Sequence, residues 1–146
     1  MPKLSFFLRA GLVWSACLVV PLALAADVEV NVSGVADTSG SIGCGLFLGE
    51  RGFSMDNSAA QMRWLPADPK GVRCVFADVS PGLYAVSVLH DLNGNRRVDT
   101  HFFGLPQEAW GVSNNVRPTL RPPRFDEAAF KVDADRAVAL DVKVGK

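Results

Sequence analysis

Apolar and polar residues alternate along residues 27–35, with Val28, Val30 and Val32 set against Glu29, Asn31 and Ser33. A period of two is the signature of a strand with one face on a core. Asp37-Thr38-Ser39-Gly40 is turn chemistry. Residues 41–48 then place Ile42, Cys44, Leu46 and Leu48 on one face. Gly43 and Gly45 leave the opposite face without bulk, open to another backbone or a neighbouring loop. The pattern returns at residues 72–79, where Val72, Cys74 and Phe76 alternate with Arg73, Val75 and Ala77. Ser80-Pro81-Gly82 predicts a tight turn. In residues 83–90, Tyr84, Val86 and Val88 share one face, and Leu83, Ala85, Ser87 and Leu89 the other. A strand apolar on both faces is expected to be central and covered on both sides. Residues 131–144 end in a further strand, with Val138, Leu140, Val142 and Val144 against Ala139, Asp141 and Lys143.

Two stretches break this rhythm. Residues 50–71 form a long connection with apolar points at Phe53, Met55, Met62, Trp64 and Leu65, expected to cover one edge or end of the sheet. A helical turn is predicted at 58–63, and Pro66 and Pro69 exclude a longer helix. Residues 100–123 carry little periodicity and many Gly, Pro and Asn. A loop this long in a small domain is uncommon unless it is functional or disordered, and Phe102, Phe103 and Trp110 argue against disorder. A second helical turn is predicted at 126–130, anchored by Phe125 and Phe130. Six or seven short strands, one or two helical turns and no βαβ rhythm predict an all-β fold, a single antiparallel β-sandwich.

The first 25 residues stand apart from this pattern. Lys3 and Arg9 precede an apolar or small run over residues 10–26, and Ala23-Leu24-Ala25 matches a small-residue cleavage signal. Residues 1–25 therefore read as a secretory signal peptide and 27–146 as one β-sandwich domain. The run is short for a membrane span and no stop-transfer pattern follows, so no span is expected after cleavage. Cleavage at Cys17 as a lipoprotein is disfavoured by Trp14, where an aliphatic residue is usual. The expected destination is the periplasm or the extracellular medium. The 146-residue chain has no net formal charge; losing Lys3 and Arg9 without any acid takes it to −2. A mildly acidic domain without a basic run offers no electrostatic case for nucleic acid. Export leaves Cys44 and Cys74, and two cysteines in an oxidising compartment suggest one disulfide rather than two buried thiols. Such a bridge closes a loop of about 30 residues and contributes roughly 3–4 kcal/mol.

The candidate chemistry lies in residues 90–99, His-Asp-Leu-Asn-Gly-Asn-Arg-Arg-Val-Asp. Asp91, Asn93, Asn95 and Asp99 stand at positions 1, 3, 5 and 9 of a loop, and Arg97 at position 7 would offer its backbone carbonyl. That spacing turns oxygens inward onto Ca2+, the one cofactor expected. The match to an EF-hand is partial. Arg96 replaces the glycine at position 6, Phe102 replaces the glutamate at position 12, and no long helices flank the loop. The competing reading is an Asn-Gly turn whose carboxylates only cap it. His90, His101, Asp99 and Glu108 have no recognised spacing for zinc or copper. His90, Asp99 and Glu108 are also the residues a small metal-dependent or carboxylate-based hydrolase would use, and the discriminating observation is whether they converge in an open cleft. Ser113 lacks the second glycine of a Gly-x-Ser-x-Gly elbow. Trp110, Phe102 and Phe103 either line a sugar or peptide groove or form a mini-core that pins the long loop. Asn114 and Asn115 suit turns.

The motifs also carry a resemblance. His90-Asp91-x-Asn93-Gly94-Asn95-x-x-x-Asp99 is followed by Phe103-Gly104-Leu105-Pro106-x-Glu108, then by Gly111-Val112-Ser113-Asn114-Asn115 and Pro122-Pro123-x-Phe125-Asp126-x-Ala128-Ala129-Phe130. In this order they resemble the secreted bacterial family catalogued as domain of unknown function 2141, over about residues 28–144. Val112 departs from the pattern where an aromatic residue is expected, and Cys44 and Cys74 are outside it. The resemblance implies an exported β-sandwich and supplies no activity. Separately, Pro81-Gly82-x-Tyr84-x-Val86-x-Val88 is similar to the hairpin of transthyretin-like and carboxypeptidase-regulatory-like sandwiches, within the broader immunoglobulin-like class. Those serve as accessory, adhesive or carrier modules, and a fold alone assigns no function. The expectation is thus a non-enzymatic exported module, binding or structural, with calcium ordering the 90–130 end. Its partner, a protein or glycan, would meet a surface that includes His90, Glu108, Trp110 and Asn114.

Overall fold

A computed structural model of the chain describes residues 25–102, 104 and 106–146. The predicted leader up to residue 24, with Cys17, lies outside the described residues, as do Phe103 and Leu105. The first alternating stretch forms β1 (Ala26–Ser33), the second β2 (Ser41–Phe47). β3 (Gln61–Pro66), β4 (Val72–Val79) and β5 (Gly82–Asp91) follow. The long loop contributes β6 (Trp110–Val112), and a short helix α1 (Phe125–Ala128) precedes β7 (Phe130–Val132) and β8 (Val138–Lys143).

The strands pack as an all-β sandwich. One sheet has the order β4-β1-β8, the other β3-β2-β5-β6, with β7 added to the start of β5. Every pairing is antiparallel except β1 with β8, which run parallel from Val28 opposite Val138 to Ser33 opposite Lys143. The alternation explains the layering, because successive side chains point to opposite faces. Val28, Val30 and Val32 of β1 meet Ile42, Cys44 and Leu46 of β2 and Tyr84, Val86 and Val88 of β5 in the core between the sheets. Cys44 and Cys74 are fully buried there and form a disulfide, Cα atoms 6.5 Å apart, that joins β2 of one sheet to β4 of the other. Tyr84 buries its ring, and its hydroxyl donates to the Ser80 carbonyl at 3.0 Å, which fastens the Pro81-Gly82 turn.

β5 is covered on its other face too. Ala85 packs with Phe47, Phe53, Val112, Phe125 and Ala128 in a second cluster. Phe53 meets Phe47 and Phe125 edge-to-face, ring centroids 5.3 and 5.8 Å apart, a favoured aromatic geometry. α1 starts one residue before the predicted turn, because Phe125 is drawn into this cluster. Leu48, expected on the core face, lies beyond the end of β2 and is 71% exposed.

The 50–71 connection does cover an edge, but as a strand. Its helical content is a single 3-10 turn, Asn57–Ala59, capped by the Asp56 carboxylate accepting from the Ser58 amide at 2.9 Å. The predicted turn over 58–63 gives way to β3, paired with β2. Trp64 stands opposite Gly43 and Met62 opposite Gly45. A methyl on Gly43 would overlap the Trp64 ring, so the bare face of β2 is filled from its neighbour. Among the described residues no helix is long and apolar enough to cross a membrane.

Candidate functional site

The oxygen-rich loop begins where β5 ends, and Asp91 is its fully buried anchor. One Asp91 carboxylate oxygen accepts from the Gly94 amide and the other from the Arg96 amide, both at 2.8 Å. Those bonds bend the chain sharply. Gly94 (φ 76°) and Arg96 (φ 58°) are both left-handed, so Arg96 adopts the backbone for which an EF-hand uses glycine. Asn93 Oδ1 accepts from the Asn95 amide at 3.0 Å, and Asn95 Oδ1 from the Arg97 amide at 2.8 Å. The two Asn amide groups converge on Asp99. Asn93 donates to it at 2.6 Å, and Asn95 to both its oxygens at 2.9 and 3.0 Å. The loop is therefore wired as successive Asx turns, with Asp91 and Asp99 as its two carboxylate acceptors.

His90 and Glu108 are brought to the root of this loop by the main chain. His90 donates its amide to the Ala109 carbonyl at 2.8 Å, which aligns residues 108–109 beside the end of β5. The His90 ring is buried, and Nε2 lies 2.8 Å from the Ser39 carbonyl, so that nitrogen carries the proton. Glu108 is 6% exposed. Its Oε1 accepts from the Leu92 amide at 2.8 Å, while Oε2 is buried and has no hydrogen-bond partner among the described residues. Burial pushes the Glu108 carboxyl above its ordinary value; the Leu92 amide and, more weakly, the nearby Asn93 amide oppose this, and the charges of Asp91 and Asp99 add to it. His90, Asp99 and Glu108 are thus engaged separately: His90 with Ser39, Asp99 with two asparagines and Glu108 with Leu92. Among the described residues, no three His, Cys, Asp or Glu side chains form a ready-made metal cluster.

The remaining candidate residues divide between staples and a groove. Ser113, buried in a 3-10 turn after β6, accepts from the Val86 amide at 2.9 Å and donates to the Ala128 carbonyl at 2.6 Å. Asn114 spends its amide group on the Glu127 and Ala129 carbonyls at 3.1 and 3.2 Å. Asn115 holds β8 by accepting from the Lys143 amide at 2.8 Å and donating to the Asp141 carbonyl at 2.9 Å. These three residues tie α1 and β8 to the larger sheet; Asn114 stays exposed with its NH2 group spent on the fold.

Trp110 is half-buried on β6, whose backbone exchanges two hydrogen bonds with Gly145 at 3.0 and 3.1 Å. Arg117 stacks over the Trp110 ring, 4.4 Å from its centroid. Beside this pair opens a cavity of about 390 Å³, walled by Met55, Pro118 and Pro122 among others. Phe102, expected in a groove wall or a mini-core, is fully exposed. Trp110 is the one wall expected from the sequence. The others come from residues 54–55, 87, 106, 117–119, 121–123 and 146, and only the fold places them together.

No curated protein and no solved structure matches this chain. Residues 30–139, which include every strand but the first half of β1 and most of β8, match the profile of the family described as "Uncharacterized protein conserved in bacteria (DUF2141)". The match takes in the oxygen-rich loop, Glu108, Trp110 and the Ser113-Asn114-Asn115 staple, and the chain belongs to this DUF2141 family.

Proposed function

We propose that the protein is an exported, non-enzymatic β-sandwich module that holds a calcium ion at the 90–108 end and binds a partner through the surface which that end orders. The observation that carries the ion is the second Glu108 oxygen, buried and unpartnered beside Asp91 and Asp99. A buried carboxylate oxygen without a donor is costly unless something positive satisfies it. The loop suits that role. The oxygens of Asp91, Asn93 and Asn95 each accept one amide hydrogen, and each keeps a further lone pair. Asp91, Asn93, Asn95, Asp99 and the Arg97 carbonyl are the oxygen donors expected for calcium, and Glu108 adds the third carboxylate that the loop lacks at position 12. Calcium would supply the charge that offsets these acids, displacing the Asn93 and Asn95 amide groups from Asp99. Export is supported by residues 1–25 and by the Cys44–Cys74 bridge, the kind of link that persists in oxidising compartments. A non-catalytic role is supported by the separate engagement of His90, Asp99 and Glu108.

The test is thermal unfolding in EDTA and in millimolar calcium, for the wild type and Glu108→Gln. An ion held only by the folded state stabilises it by about 2.7 kcal/mol at a hundredfold excess over Kd, a rise of roughly 10 °C in a domain of this size. The wild type is expected to show that rise and Glu108→Gln to lose most of it. Identical wild-type midpoints in the two buffers would rule out the ion and leave the loop as a hydrogen-bonded turn.

A further inference from the structure

The cavity beside Trp110 has the features of a binding site distinct from the oxygen-rich loop. At about 390 Å³ it is at the lower end of the range for small-molecule pockets. Its walls are largely apolar, formed by Met55, Trp110 and the proline-rich stretch at 118–123. Among the described residues no Asp or Glu lines it, whereas Arg117, Arg121 and Lys146 do. Arg121 is already matched, because its guanidinium forks onto Glu127 at 2.6 and 2.9 Å. Arg117 is not. Its hydrogen bonds go to the Gly145 and Trp110 carbonyls and its face lies on the Trp110 ring, with no acidic partner among the described residues. A guanidinium over a ring with N–H groups on only two carbonyls keeps further donors, suited to a carboxylate.

A second, independent feature points into the same groove. Ser54 lines it, is 8% exposed, and its hydroxyl is buried with no hydrogen-bond partner among the described residues. A buried hydroxyl left unpaired is uncommon and costs stability. A ligand that reaches the hydroxyl would satisfy it.

We propose that this groove binds a small amphipathic carboxylate, its apolar body between Met55, Trp110 and Pro122, its carboxylate on Arg117, and a polar atom within reach of Ser54. This rests on the binding role given above, names its ligand class, and does not need the calcium ion.

Octanoate is the probe, titrated into the protein expressed from its full chain. Octanol is the uncharged comparison, and binding is read from Trp fluorescence and amide chemical shifts. Octanoate is expected to bind with Kd below about 1 mM, to move the signals of Ser54, Trp110 and Arg117, and to bind at least tenfold more tightly than octanol. Arg117→Gln should weaken it about tenfold. Because Arg117 also braces Trp110, Ser54→Ala is the second variant. Its hydroxyl has no partner to lose, so the unfolding midpoint should hold or rise while octanoate affinity falls about threefold. Absence of saturable octanoate binding, equal affinity for octanol, shifts confined to another surface, or affinity unchanged in both variants would each overturn the proposal. Running the titration in EDTA and in calcium separates the two readings: octanoate binding without a calcium response retains the groove and rejects the ion, and the converse rejects only the groove.

Discussion

Replacing Asp91 by alanine should destabilise the protein with or without calcium, and the size follows from its surroundings. The side chain is fully buried, and its two oxygens take the amides of Gly94 and Arg96 at 2.8 Å. Hydrogen bonds to a charged group contribute about 1.5–3 kcal/mol each. Gly94 and Arg96 are themselves exposed, so water can reach part of what the carboxylate leaves behind. Two such bonds give about 3–6 kcal/mol, and this exposure places Asp91→Ala at the lower end, a loss of about 3–4 kcal/mol. Small domains are stable by only about 5–15 kcal/mol, so this is a large share. Asp91→Asn keeps one carbonyl acceptor and should lose about half as much. The assay is urea unfolding in EDTA, with the slope compared between variants so that a change in midpoint reports stability. A loss below about 1 kcal/mol for Asp91→Ala in EDTA would refute the claim that these two bonds hold the loop. Repeating the set in calcium isolates the ion: the structural loss is common to both buffers, whereas the calcium-dependent gain should vanish in Asp91→Ala.

Three further outcomes are expected. Replacing Cys44 and Cys74 together by alanine removes a link between the sheets that closes a loop of 30 residues; the loss should be about 3–4 kcal/mol by urea unfolding, and a loss under about 1 kcal/mol would deny the bridge its role. Ser113→Ala strands the buried Val86 amide and the Ala128 carbonyl; about 2–3 kcal/mol should be lost, with α1 loosened in hydrogen exchange while β1–β4 protection is unchanged. Glu127 accepts from Arg121 and from the Arg124 amide, which hold its carboxyl down to about 2. A depressed carboxyl stabilises the fold above its ordinary value and loses that contribution as pH falls toward the depressed one. Stability should therefore drop between about pH 4.5 and 2, and Glu127→Gln should flatten that part of the urea-midpoint profile.

The loop at 91–99 was legible as a set of oxygens because its spacing is local: turn geometry depends on near neighbours, and Asp91, Asn93, Asn95 and Asp99 are all bonded within the loop. Glu108 was legible only as an acid in the vicinity. Its position follows from the bond between the His90 amide and the Ala109 carbonyl, which no local pattern encodes. β3 was missed for a related reason. Gln61 to Pro66 shows no clean alternation, since its side chains are mostly half-buried on an edge, and Trp64 finds its place only against the glycine face of β2. β6, three residues long, is too short to show any period.

What the chain by itself determined is the set of strands that bury a face: β1, β2, β4, β5 and β8 follow from alternation, the Tyr84 corner from Pro81-Gly82, and the Cys44–Cys74 link from two cysteines on core faces. Those features are local or periodic, so hydrophobic burial and turn sterics write them directly into the sequence. Only the tertiary structure decided the parallel pairing of β1 with β8, the buried unpartnered oxygens of Glu108 and Ser54, and the groove between Trp110 and the 117–123 stretch. Each depends on which distant segments meet, and that is set by the packing of the whole sandwich rather than by any residue's neighbours along the chain.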